Sequence, residues 1–313
     1  MYFPYLRGKQ FELLALRDFA SRNPNNKKII PIIEPVKQQY GGINTAITIL
    51  QENNLHFAIV LNPKDGDFKH PNIDNDILNN LVSLNRDLWI PAYIYKQNPS
   101  VLFNHIRKNN LNQVMIILPS GADVNDDGLI NFLQDDSISY IVNGRNGNRS
   151  TRARLLRLGK RLISLEDKFN NKVRNADYID SDDEFFSDDF AYYNDDGLYG
   201  FADYTALAKD FVEGGMMPYA IAIHLTYKKA ADQIFIHHFV SDNNFDQSNI
   251  RGKFHEAAIK IEPFYINNRL TYTSAVDELI EKANQEDGYP GLGYIKKLSI
   301  LNHLELINSI LSN

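Results

Sequence analysis

The chain has 313 residues, a net charge of −6 and no cysteine. That length can bury a large core without covalent staples, and the missing thiols exclude a disulfide framework, a thiolate zinc site and a cysteine nucleophile. The negative balance argues against a generic nucleic-acid coat; no apolar run nears the roughly 18 residues that span a bilayer, and the opening Met1-Tyr-Phe-Pro-Tyr-Leu-Arg-Gly-Lys is no signal peptide, so a soluble cytoplasmic protein with no membrane partner is expected.

An extended Tyr-Phe-Pro-Tyr-Leu opens the chain, followed by a helix with Phe11, Leu14, Ala15 and Phe19 on one face and a stop at Asn23-Pro24. Lys9 and Glu12 are three apart and share a helical face. Short apolar runs then recur at 29–34, 57–62, 89–95, 114–118, 138–143, 161–166, 199–204 and 219–225, with intervals long enough for helices. They predict an α/β fold, a TIM-barrel-like (β/α)8 domain over residues 1–240, irregular where Pro31 and Pro91 lack a ladder amide. Residues 167–199 form an acidic excursion with enough aromatics (Phe185, Phe186, Phe190) to pack down. The segments 219–227 and 233–240 flank Lys-Lys-Ala-Ala-Asp and predict a terminal antiparallel hairpin. Residues 241–313 read as a helical extension: one helix capped by Asp242 or Asp246, one capped by Ser274, and one over 292–312 with Ile295, Leu298, Leu301, Leu304 and Ile307 on its apolar face.

A parallel barrel collects its chemistry at the C-terminal strand ends. Glu34, Glu166, Asp203 and His224 fall there and are the candidate catalytic groups, as an acid/base pair or as ligands of a divalent metal, the candidate cofactor. Carboxylates at such positions also cap the next helix in the chain. Asn62 and Asn143 end two further strands and are candidate ligand contacts. From Asn143 the glycine-rich run carries Arg145, Arg149 and Arg152 into a helix, and residues 145–161 hold seven basic groups and no acid. Free helix amides and guanidinium groups together suit a phosphorylated ligand or a nucleic-acid backbone, although this is no Walker loop. A solvated basic face, or a dock for the acidic excursion, explains the same residues. The segment 123–134 matches a calcium loop at positions one, three, five and six, but Gln134 stands where a bidentate Glu is required, so a helix-capping turn without calcium is expected. His237 and His238 are adjacent in a strand and face opposite sides, and His303 reads as a packed structural histidine.

Tyr5-Leu-Arg-Gly-Lys-Gln-Phe-Glu-Leu-Leu-Ala-Leu, then Ile30-Pro-Ile-Ile-Glu-Pro, then Gly200-Phe-Ala-Asp-Tyr-Thr resemble the opening and a later strand of the bacterial and phage beta protein family. Ala222-Ile-His-Leu-Thr-Tyr, His237-His-Phe-Val-Ser-Asp and Lys253-Phe-His-Glu-Ala resemble one branch of it. On that resemblance Lys9, Glu12, Glu34, Asp203 and Tyr204 form the family's polar signature, while Phe11 and Ala202 stand where many members have glycine. The resemblance implies a mobile-element or phage-defence setting and a neighbouring-gene protein partner. Two functions are therefore expected: a hydrolase acting on a phosphate ligand or nucleic acid, with Lys9, Glu12, Asn62, Asn143, the three arginines and Tyr204 as ligand contacts, or a non-catalytic sensor or partner-binding subunit.

Overall fold

The computed structural model describes residues 1–69, 76–81, 84–96, 98–144, 149–214 and 217–312. In chain order the elements are β1 (Tyr5–Leu6), α1 (Gln10–Arg22), β2 (Ile32–Ile33), α2 (Gly41–Glu52), β3 (Phe57–Val60), α3 (Asp76–Asn80), β4 (Trp89–Ile94), α4 (Pro99–Lys108), β5 (Val114–Leu118), α5 (Asp127–Gln134), β6 (Ile138–Gly144), α6 (Arg149–Leu156) and β7 (Arg161–Glu166). They continue with β8 (Asp183–Ser187), α7 (Asp189–Tyr192), β9 (Gly200–Asp203), β10 (Ala222–Ala230), β11 (Gln233–Val240), α8 (Ile250–Ala258), α9 (Ile261–Asn267), α10 (Ser274–Ala283) and α11 (Leu292–Ser312). The chain divides into two compact units. The first comprises Met1–Leu13, Ala20–Asp167 and Tyr192–Tyr204, and the second Leu14–Phe19, Lys168–Ala191 and the chain from Thr205 onward.

The first unit is an eight-stranded parallel sheet in the order β1-β2-β3-β4-β5-β6-β7-β9. Its strands are nearly continuous apolar runs because helices cover one face and the barrel interior the other. A parallel bridge between Tyr2 and Phe201 joins first strand to last, with Phe3 N donating to Phe201 O at 2.9 Å and Phe201 N to Met1 O at 3.1 Å. The TIM-like (β/α)8 fold is thus present with a different set of strands. The opening residues supply the first strand and Gly200–Asp203 the last, whereas 219–225, expected as the eighth, lies outside the barrel. Its tight turn to β11 gives it a local antiparallel partner at small entropic cost, so the closing edge is left to residues nearly 200 positions away.

Two features shape that seam. A Cβ on Gly200 would stand 2.7 Å from both the Met1 carbonyl oxygen and the Phe3 ring, so only glycine admits the first strand so closely. The Tyr2 hydroxyl donates to Asp203 Oδ1 at 2.5 Å in a buried bond. Burial, and then the Asp203 charge, push the Tyr2 phenol well above its usual range and keep it a donor. Tyr2→Phe is expected to cost about 1–3 kcal/mol, read as a lower urea midpoint at unchanged slope.

The two prolines expected to disturb the barrel differ: Pro31 lies between an isolated bridge at Ile29 and the two-residue β2, so the run 29–34 is interrupted there, whereas Pro91 sits inside β4. Pro31 accepts from Ala58 N at 2.8 Å, and Pro91 pairs with Ile59 without a break in register. Amides of alternate residues serve opposite neighbours in a parallel sheet, so each proline removes a single ladder bond. The register shift falls instead between Val114 and Met115, against β6.

The second unit carries a three-stranded antiparallel sheet, β10-β11-β8, with α11 packed on β10. The expected hairpin is present, and part of the acidic excursion adds the third strand. Asn302 Nδ2 donates to Thr226 O at 2.9 Å, and His303 Nδ1 lies 2.9 Å from Thr226 Oγ1, a packed structural role. The caps differ from expectation. Asn249, not Asp242 or Asp246, accepts from Gly252 N to start α8, and Thr273, not Ser274, accepts from Val276 N to start α10. Among the described residues no helix is long and apolar enough to cross a membrane.

Candidate functional site

Side chains alternate along each strand, so the interior cluster fixes which residues beyond each strand end also face inward. Phe3 and Tyr5 point inward, as do Ile30 and Ile32, Ala58 and Val60, and Ala92 and Ile94. Two residues further on, the same phase carries Arg7, Glu34, Asn62 and Lys96 to the C-terminal mouth.

Glu34 is fully buried there. Its Oε2 accepts from the Tyr5 hydroxyl at 2.7 Å and faces Arg7 Nε at 3.6 Å, while its Oε1 accepts from the Lys64 amide at 3.1 Å. Arg7 Nε also meets Asp65 Oδ2 at 3.3 Å, and its guanidinium lies 5.3 Å from the Tyr5 ring centroid and 5.1 Å from that of Tyr204. Burial opposes the Arg7 charge, but Tyr5, Glu34, Tyr204 and Asp65 outweigh it and raise its pKa. Burial likewise pushes the Tyr204 phenol up to about 12, against the pull of Arg7 and with help from Asp167 and Glu34. The Arg7 amide donates to the buried Glu12 carboxylate, which ties β1 to the first turn of α1. Lys9 is half-buried.

Above this floor stand Lys64 and Lys96, both exposed and without an ion pair among the described residues. Burial lowers the Lys96 pKa; the Glu34 charge works against that, and the Lys64 charge adds to it. Lys96 thus stands close enough to feel both the Glu34 carboxylate and the Lys64 ammonium. Asn62 takes no part: its side chain donates to Ile94 O and accepts from Ile94 N, each at 2.7 Å, and completes the ladder between β3 and β4.

The four expected catalytic groups do not form one site. Ile163 and Leu165 point inward, as do Ala202 and Tyr204, so Glu166 and Asp203 lie on the outer phase of their strands, paired in register with one another and separated from Glu34 by the sheet. Asn143, next to inward Val142, has the outer phase too. His224 belongs to β10, in the second unit. Among the described residues no group of three or more His, Asp or Glu is placed to hold a metal ion.

Arg145 lies outside the described residues. Arg149 opens α6 and is exposed, but Arg152 meets Asp196 at 2.7 Å, and Arg154 meets Asn125 Oδ1 at 3.1 Å and Asp127 at 3.7 Å. The basic helix is thus partly neutralised, with Asp196 at the end of the acidic stretch meeting Arg152, while Asp183, Glu184 and Asp189 pair with Lys229, Lys172 and Lys168. In the 123–134 segment, Asp126 caps α5 by accepting from Gly128 N at 2.8 Å, and Asp123 accepts from Asn125 N at 2.9 Å.

Lys64, Asp65 and Lys96 are site residues that carry no motif in the sequence, and Arg7, although it stands in the opening Tyr5-Leu-Arg-Gly-Lys segment, is not among the residues singled out there. Their signal is slight: each lies a few residues past an apolar run, or two past the inward Tyr5. Compared with family models, curated proteins and solved structures, the chain matches none.

Proposed function

We propose that the barrel recognises a small phosphate-bearing ligand at its C-terminal mouth, with Lys64 and Lys96 meeting the anion above a rigid floor of Arg7, Glu34, Tyr5 and Tyr204. The observation that carries this reading is the pair of exposed ammonium groups at the mouth, Lys64 and Lys96, neither with an ion pair among the described residues and Lys96 on the inward phase of its strand. A small ligand is favoured over a nucleic-acid strand because Arg152 and Arg154 already face carboxylates. Recognition is favoured over hydrolysis because the oxygens of Glu34 already face three donor groups, and a general base needs a lone pair within reach of the substrate. The setting that the family resemblance implies, phage defence or a mobile element with a second protein as effector, fits such a sensor.

Calorimetry with inorganic phosphate and with nucleotides tests this. Binding with a shallow salt dependence is expected, weakened about tenfold or more in the Lys64→Ala/Lys96→Ala variant, without turnover. Unchanged affinity in that variant removes the reading, and nucleotide hydrolysis lost in Glu34→Gln replaces it with the hydrolase.

A further inference from the structure

In the second unit, His224 on β10 and His238 on β11 are register partners whose Nδ1 atoms lie 2.7 Å apart. That distance requires one ring to donate and the other to accept. The choice is made by Glu184 on β8, whose Oε2 lies 3.6 Å from Nε2 of His238, a side chain sealed from solvent. Burial works against the Glu184 charge, but a hydrogen bond from Asn170 and the Lys172 charge help outweigh it and hold the pKa below the usual carboxylate value. A carboxylate only accepts. At 3.6 Å it acts through its charge, not through a hydrogen bond, and it favours N–H over a lone pair on the nitrogen it faces. His238 therefore carries its proton on Nε2 and accepts at Nδ1, so His224 donates from Nδ1. The remaining nitrogen, Nε2 of His224, is left as a bare lone pair.

His224 is enclosed but not sealed. The rings of Phe169 and Tyr178 stand edge-on at 5.0 and 4.8 Å, and Tyr178 is fixed by accepting from the Lys172 amide and donating to Asn170 O. The residue nevertheless remains partly exposed. Lys296, exposed and without an ion pair among the described residues, stands two turns before His303 on the same stripe of α11; His303 meets Thr226, which shares a face of β10 with His224, so the lysine charge lies along the helix toward the imidazole and acts on it. The groups facing the pair are thus Glu184, Lys172, Tyr178, His237 and Lys296. Burial, then His238 and the Lys296 charge, lower His224 well below the usual histidine value, and burial takes His238 down to about 4 despite Glu184, so both rings are neutral at pH 7.

We propose that His224 Nε2 and the Lys296 ammonium form a second ligand site, distinct from the barrel mouth, selective for anions that keep a proton, such as hydrogen phosphate. The anion's O–H donates to Nε2 while its charge meets the lysine. An anion without a proton turns an oxygen lone pair toward Nε2 and is rejected.

Nitrogen NMR of the histidine-labelled full chain at pH 7 reads this directly, without depending on a variant that folds poorly. Expected are an unprotonated Nε2 on His224, a protonated Nε2 on His238, and a saturable shift of the His224 signal with inorganic phosphate. Sulfate, which carries no proton at this pH, should bind about tenfold more weakly. Lys296→Gln should weaken phosphate about tenfold and leave both tautomers unchanged, and Lys64→Ala/Lys96→Ala should leave the His224 response intact, which separates this site from the mouth. A proton on His224 Nε2, equal responses to phosphate and sulfate, or no response to phosphate overturns the proposal.

Discussion

Glu34→Ala is expected to destabilise the protein by about 3–5 kcal/mol, the range for removing one partner of a buried charged cluster. The carboxylate is fully buried, and its loss strands the Tyr5 hydroxyl and the Lys64 amide while leaving Arg7 with Asp65 as its neighbouring carboxylate at the mouth. Glu34→Gln keeps an acceptor but no charge, and a smaller loss of about 1–3 kcal/mol is expected. Urea unfolding at pH 7 checks both, and an unchanged midpoint in Glu34→Ala would show that the mouth is not held from this residue. The same cluster predicts an alkaline limit. Burial raises Tyr204 to about 12, above the unfolded phenol value near 10, so its contribution is complete below about pH 10 and is lost as pH rises through about 12.

Gly66→Ala is expected to cost about 2–4 kcal/mol and to remove phosphate binding at the mouth. Gly66 has φ +64°, and a Cβ there would lie 2.0 Å from the Val36 carbonyl oxygen, so backbone must move. What moves is the loop that aims the Lys64 amide at Glu34, sets Asp65 against Arg7, and donates to the Val36 carbonyl through the Asp67 amide at 3.0 Å. Gly121→Ala is the control: φ is +96° but no atom lies within 4 Å of the added carbon, and about 1 kcal/mol of backbone strain alone is expected, with binding intact. Equal urea midpoints and phosphate affinities for the two variants would show that the contact with Val36 does not hold the loop.

The parallel barrel was legible because most of its strands are buried on both faces and so stand out as apolar runs, unbroken in Val114–Leu118 and interrupted by Ser164 in Arg161–Glu166; both strands have the bounds that the sequence predicts. The hairpin was legible because its partners are close in sequence and the turn between them is polar. Glu34 was legible as the first charged group after an apolar run, and Gln134 as a flaw in a calcium loop. Uniform apolarity, however, hides the phase of a strand. Within 161–166 the shared phase of Ser164 and Glu166 opposite Ile163 and Leu165 is a slight mark of the outer face, but 199–204 carries none, and the packing of Leu165 and Ala202 against the barrel core puts Glu166 and Asp203 on the outer face while Glu34 faces in. The closing pair, Tyr2 with Phe201, has no local signature, since Tyr2 forms an isolated bridge ahead of the two-residue β1 and its partner is almost 200 residues away. The pairing of His224 with His238, and the meeting of Arg152 with Asp196, are contacts between segments that share no sequence period. Local propensity and hydrophobic patterning act over a few residues and determined the elements; which polar groups share a site depends on register and closure, and those arise only when distant strands pair.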